Sequence, residues 1–277
     1  MAALLALFSA ATYGVGDFCG GLAARRIPSS TVVLWSHLVG LALLVLSTVV
    51  VSGALVPGDL VIGAVGGLCG AAGVGLLYQG LSVNRMSVIA PVTALLSAAV
   101  PLLAGYLGGE RPGGPAALGM ALALVAIVLV SAEGDGHLRS ADRRGVTFAI
   151  GAGLGFGLFF VALSHTGADA GLWPLVSART ASVTVLGLAA ALGLVSRRAP
   201  AAGSRRLTIA AGALDAQANV LYLLAVRQGL VSVVSVLAAL YPVSTVVLAR
   251  VVLRERFARV QLAGMLLAVP ATVLMAL

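Results

Sequence analysis

Charge is what this sequence has least of. Only 9% of its 277 residues are Asp, Glu, Lys or Arg, against about 25% in an ordinary soluble domain. A chain so poor in charge has little polar surface to offer water. That excludes a soluble enzyme, a disordered segment and a nucleic-acid-binding domain. Lysine is missing altogether, all 17 basic residues being arginine. With the abundance of Ala, Gly, Val and Leu, this points to GC-rich bacterial coding. The net charge of +8 is therefore read from where the arginines sit rather than from a polyanionic partner. Cysteine is scarce too. Cys19 and Cys69 lie singly in apolar stretches, without ligand spacing, so neither a disulfide framework nor a zinc site is expected. Aromatics make up 5%, with two tryptophans, which argues against an aromatic cage for quaternary amines. No cofactor is implied.

What is present is apolar length: 60% of the chain is hydrophobic and 35 residues are glycine. A helix needs about 20 apolar residues to cross roughly 30 Å of hydrocarbon at about 1.5 Å per residue. The sequence divides into ten such runs, predicted at 3–23, 31–52, 60–83, 87–107, 114–132, 145–166, 172–195, 207–227, 231–252 and 260–277. Gly, Pro, Asn, Asp and Arg punctuate them, as helix ends and turns require. The runs are too long for the strands of a barrel and show no period-two alternation. The first run has no charged segment before it and two arginines directly after it, so it reads as a helix rather than a signal peptide. The fold class is an all-α multi-pass membrane protein.

The two halves resemble each other. Glu110-Arg111 with Gly119-Met120 recurs 145 residues later as Glu255-Arg256 with Gly264-Met265. Ser87-Val88 falls on Ser232-Val233 at the same offset, and Leu77-Tyr78 on Leu221-Tyr222 one residue short of it. The domains are therefore a five-helix repeat over 1–132, a polar linker over 133–144 and a second repeat over 145–277. Five is odd, so the second copy must cross the membrane upside down. Inverted repeats are a recurrent architecture of secondary transporters, with the substrate at the midplane between the halves. Arginine placement agrees with ten spans. Loops after odd-numbered spans hold Arg25, Arg26, Arg85, Arg139, Arg143, Arg144, Arg197, Arg198, Arg205, Arg206, Arg254, Arg256 and Arg259; loops after even-numbered spans hold only Arg111 and Arg227. The positive-inside rule makes the odd loops cytoplasmic and both termini external.

Tyr13-Gly14 with Phe18, Gly109-Glu110-Arg111, and Pro242 leading into Arg254-Glu255-Arg256 give the chain its likeness to a known family. It resembles the EamA-type branch of the drug/metabolite transporter superfamily, over essentially its whole length. The resemblance implies ten helices in two repeats and movement of a small metabolite, amino acid or drug-like compound, driven by an ion gradient or by the substrate's own. It also implies cytoplasmic termini, opposite to the arginine bias. Asp17 departs from the family pattern, where a neutral residue is common.

An ionisable or polar side chain at membrane depth is costly and marks a pathway by default. Asp17 in the first span, His37 in the second, Arg179 in the seventh and Asp215 in the eighth qualify. Asp215, Gln217 and Asn219 form a polar run in which Asp215 and Asn219 share a helix face and Gln217 points elsewhere. At matched positions the other copy has Ala71, Gly73 and Gly75, and Asp17 meets Leu158, so the scaffold alone does not demand these groups. Arg179 could fork a substrate carboxylate; Asp17 or Asp215 could bind an amine or exchange a proton. The structural alternative is an ion pair between Arg179 and either acid. His37 fits a hydrogen bond to a neighbouring helix. Tyr78 and Tyr222 fit interfacial anchors or cavity walls. Glu110 and Glu255 fit local ion pairs with adjacent arginines. Pro242, midway along the ninth span, is the candidate break beside a central cavity. The expected function is a secondary active transporter, exporter by preference, in a bacterial inner membrane. Its partners are a small-molecule substrate, candidate coupling protons and the lipid bilayer, and it acts as a monomer or homodimer. A channel or facilitative uniporter is the alternative, and no enzyme motif is present.

Overall fold

The computed structural model describes residues 1–83, 86–131, 143–196, 198–253 and 258–277. Asn84-Arg85, most of the polar linker with His137 and Arg139, Arg197, and Arg254 to Phe257 with Glu255 and Arg256 lie outside the described residues. The long helices are α1 (Ala2–Ala24), α2 (Ser29–Thr48), α3 (Pro57–Val83), α4 (Met86–Leu107), α5 (Gly114–Ser131) and α6 (Arg143–Ser164). They continue with α7 (Trp173–Ala191), α8 (Ala202–Val226), the short pair α9 (Val231–Ala238) and α10 (Pro242–Leu253), and α11 (Arg259–Ala276). Eight stretches, with α9 and the start of α10 taken as one, are long and apolar enough to cross a membrane. Two shorter apolar helices, Val92–Leu107 and Gly114–Val130, accompany them. The chain is an all-helical, multi-pass membrane protein. In hydrocarbon every backbone N–H and C=O must find a partner within its own segment, which is why apolar runs of this length become helices whatever their individual propensities.

Several boundaries depart from hydropathy. α7 stops at Ala191, short of the expected 195, because Gly193 takes a left-handed φ of 79° and turns the chain. α8 begins at Ala202, not 207, and carries Arg205 and Arg206 in its first turns; helical hydrogen bonding does not need apolar side chains. The expected ninth span is broken. Pro242 has no N–H to give to the carbonyl four residues back, so that of Ala238 accepts from Tyr241 at 3.3 Å instead. Residues 239–241 form a tight turn at the centre of the molecule, buried on all sides.

The main contacts run between the two halves of the chain and are reciprocal. α1 packs on α8 as α6 packs on α3; α2 packs on α8 as α7 packs on α3; α5 faces α11. At the last seam Gly119 sits against Ala271 and Met275, while Gly264 sits against Ala126 and Val130. Adding 145 to the first-half residue and subtracting it from the second-half residues converts one contact set into the other. Small residues make these seams because lipid provides no hydrophobic drive, and close backbone approach must supply the dispersion energy instead. In α3, Gly63 and Gly67 meet Pro174 and Ala178 of α7, whereas Gly66 and Gly70 meet Ala162 and Phe159 of α6. Two interleaved glycine rows thus seat two neighbours on one helix.

Candidate functional site

Among the described residues one buried ion pair is found, and it lies between α7 and α8. The Arg179 guanidinium donates Nη2–H to Asp215 Oδ2. Its Nη1 donates to His37 Nε2 at 2.8 Å. His37 must therefore carry its proton on Nδ1, which faces Ser182 Oγ at 2.9 Å, and that hydroxyl donates onward to the Arg179 carbonyl at 3.0 Å. The side chains of Arg179 and Asp215 are 7% and 22% exposed, so the pair sits at the edge of a cavity rather than in solid protein. His37 is buried and held on both ring nitrogens, in keeping with the expected bond to a neighbouring helix.

Asp215 and Asn219 do share a face of α8, one turn apart. Asn219 donates Nδ2–H to the Asp215 carbonyl at 2.6 Å and accepts from the Tyr13 hydroxyl at 2.7 Å. The network thus crosses from α2 through α7 and α8 to α1. Gln217 is exposed on the opposite side of α8 and takes no part, which corrects its inclusion among the candidate residues: the 3.6-residue period turns position 217 away from the cavity when 215 and 219 face it.

Asp17 lies in the same pocket as Arg179, Asp215 and Asn219. It makes no hydrogen bond or ion pair with any described residue. Its neighbours are aromatic or small: Tyr13 on its own helix, Phe156, Phe159 and Phe160 from α6, Tyr241 from the turn before Pro242, and Gly67 and Gly70 from α3. About 510 Å³ among the lining residues, including space open to solvent, is free of protein atoms. The cavity is narrow, with room for a water or two.

Tyr78 and Tyr222 are not interfacial anchors. They are 3% and 0% exposed, and neither lines the pocket. Tyr222 stacks on Phe160 with ring centroids 4.2 Å apart and meets Ser235 Oγ at 2.8 Å, so it fixes one wall from behind. Tyr78 packs its ring over Gly20 of α1. Both occur near the ends of apolar runs, the usual place for anchors, but helix pairing covers them.

Tyr241 and the Phe156, Phe159, Phe160 set were not anticipated. The signals existed: three phenylalanines at i, i+3 and i+4 on one helix face in an aromatic-poor chain, and a tyrosine directly before the expected break. Glu110 also differs from expectation. Its carboxylate does not pair with Arg111, whose guanidinium binds the Tyr106 and Glu110 carbonyls. Instead Oε1 and Oε2 accept the N–H groups of Val231 and Ser232, at 2.7 and 3.0 Å. These are the first two residues of α9, whose N–H groups have no partner inside the helix. Glu110 therefore joins the two halves.

Residues 1–132 and 143–277 both match the EamA-like transporter family model. The chain belongs to the EamA-like transporter family. Members are membrane transporters of the drug/metabolite transporter superfamily. No curated protein matches the sequence. One solved crystal structure of a protein superposes with a TM-score of 0.75 at 16% identity, covering 97% of this chain and 98% of the other; the likeness is one of fold.

Proposed function

We propose that this EamA-like chain is a secondary active transporter, exporting a small metabolite, amino acid or drug-like compound across a bacterial inner membrane. Ten spans form two inverted five-helix repeats, 1–132 and 145–277, joined by a linker at 133–144, and substrate reaches the central pocket alternately from either side. The observation that carries this reading is the exchange symmetry of the packing, with Gly119 on Ala271 mirrored by Gly264 on Ala126, around a cavity with ionic groups at mid-depth. An axis relating two such halves lies in the membrane plane.

One end of the bundle is tied shut in this structure. At the loops after even-numbered spans, Ala54 N–H donates to the Asp169 carbonyl at 2.7 Å, Gly167 N–H to Asp59 Oδ2 at 3.0 Å, and Trp173 Nε1 to the Gly53 carbonyl at 3.2 Å. Together with the Glu110 contacts, each bond joins one half to the other. Toward the opposite end, among the described residues, Arg26 Nη1 donates to the Gly203 carbonyl at 3.1 Å and, deeper, Thr93 Oγ1 donates to the Ala149 carbonyl at 3.3 Å. Export then requires these even-loop ties to break as the odd-loop end closes. Asp17 is the group suited to proton exchange, since it has no fixed partner. A narrow cavity gives less support to a channel, which needs a continuous pore.

The test is flux into and out of proteoliposomes. Accumulation against a gradient, lost in Asp17→Asn, is expected; purely downhill flux unaffected by that change would favour a uniporter or channel. A disulfide between Ala54→Cys and Asp169→Cys, in a background lacking Cys19 and Cys69, should halt flux until reduced. Undiminished flux in the cross-linked protein would refute alternating access at this end.

A further inference from the structure

The pocket's polar groups divide into those already satisfied and those left open. Arg179, the obvious anchor for a substrate carboxylate, has one side of its fork on Asp215 and the other on His37, so two of its five N–H groups are in use and its charge is matched. Asn219 and Tyr13 bond each other. Two groups have no partner at all. Asp17 faces the cavity with its carboxylate unpaired, and the Tyr241 hydroxyl, on a residue 7% exposed, has no hydrogen-bond partner. With all three ionised, Asp17, Asp215 and Arg179 sum to one negative charge.

A buried charge without a counter-ion is costly; a proton relieves it, and so does a cationic ligand that takes that proton's place. A buried hydroxyl without a partner asks for one more hydrogen bond. The rest of the wall is aromatic or small, with Gly67, Gly70, Val74 and Ser97 beside the rings, and ring faces attract a cation as well as an apolar body. Five of the chain's twelve Phe and Tyr residues line this one cavity.

The cavity here holds only a water or two, so a larger ligand needs the bundle to widen around it. We propose that the substrate admitted then is a protonated amine carrying a compact apolar or aromatic body, with its ammonium N–H on the Asp17 carboxylate, a second hydrogen bond at the Tyr241 hydroxyl and its body among Tyr13, Phe156 and Phe160. Hydrogen bonding at both open groups selects an amine that retains N–H over a quaternary ammonium. Arg179 is a positioning residue: it neutralises Asp215 so that a single carboxylate is presented. The assignment deepens the transport reading and rests on it for the word substrate, but not for binding.

Binding of probe amines to the purified protein in detergent tests the assignment. The wild-type series is 2-phenylethylammonium, cyclohexylethylammonium and butylammonium, with 2-phenylethanol, 3-phenylpropanoate and benzyltrimethylammonium as comparisons. At least one primary ammonium should bind about tenfold or more tighter than the alcohol, the carboxylate and the quaternary ion, the discrimination expected of a charged hydrogen bond. Asp17→Asn should lose that margin, Asp17→Glu keep most of it, and Tyr241→Phe weaken binding severalfold. Tighter binding of the carboxylate, binding of no ammonium, or ammonium affinity unchanged in a helical, monodisperse Asp17→Asn protein would each overturn the proposal. If Asp17→Asn does not fold, the wild-type series and Tyr241→Phe still support or overturn it by the same margins. The two readings fail separately. An ammonium that binds but is never accumulated by proteoliposomes defeats transport alone; a carboxylate that is accumulated while no ammonium binds defeats this assignment alone.

Discussion

The Arg179–Asp215 pair offers an asymmetric test. Replacing either residue breaks the same contact, but what is left behind differs. Arg179→Met leaves Asp17 and Asp215 in one pocket with no cation, and leaves His37 Nε2 without a donor. Removing one partner of a buried pair typically costs about 3–5 kcal/mol; because Asp215 is 22% exposed to the cavity, the lower end applies, about 3 kcal/mol. Asp215→Asn keeps a hydrogen-bonding group of the same shape, and Arg179 retains both His37 and a second acid in the cavity, Asp17. The loss is then closer to one weakened charged hydrogen bond, about 1–2 kcal/mol. In the double variant Arg179→Met/Asp215→Asn the stranded charge is gone, so the effects should fall short of additive by about 1–2 kcal/mol. Equilibrium unfolding of the protein from mixed micelles by a denaturing detergent, followed by Trp35 and Trp173 fluorescence and helicity, measures all three. Asp215→Asn as damaging as Arg179→Met, or additivity within about 0.5 kcal/mol, would refute the pairing. A further expectation links stability to binding. In Asp215→Asn the freed guanidinium competes for Asp17, so ammonium affinity should fall although Asp215 never touches the ammonium.

Two other outcomes follow from the packing. Glu110→Gln can accept only one of the two N–H groups at the start of α9, its NH2 facing the other, and also removes the charge opposite the dipole. It should cost about 1–3 kcal/mol, with faster amide exchange at Val231 and Ser232; unchanged exchange would remove Glu110 from the seam. Gly67→Ala and Gly212→Ala would drive a methyl into the backbone of Ala178 and Ser36, the residues just before Arg179 and His37, and should cost about 1–3 kcal/mol. Gly75→Ala and Gly187→Ala, which meet open space, should be neutral or stabilising by up to about 1 kcal/mol; equal thermal shifts for the two sets would contradict the seams.

Much of the fold was written in local pattern. Apolar runs became helices within a few residues of where hydropathy put them, since a lipid environment leaves the backbone no other choice. Pro242 announced the break in the ninth run through its missing N–H, and the four-residue spacing of Asp215 and Asn219 announced their common face. What local pattern could not carry is which helix meets which. His37 and Arg179 stand 142 residues apart, and Glu110 stands 121 from its nearer contact; no periodicity reports such pairings. Arg179 as a free anchor was therefore a reasonable expectation until its fork was found filled. Tyr78 and Tyr222 misled for a related reason, since position along a helix says how deep a ring lies but not whether lipid or protein covers it.

The charges of the pocket are unevenly inherited. Residues 1–132 supply the lone acid, Asp17; residues 143–277 supply a self-cancelling pair, Arg179 with Asp215. A hypothetical molecule built from two copies of the first segment would enclose two like charges and nothing to balance them. One built from two copies of the second would be electrically silent at its centre. Only the unlike combination leaves one acid without a paired base, so although the scaffold can be read as a duplication, the ionic character of its pocket is a property of neither parent alone.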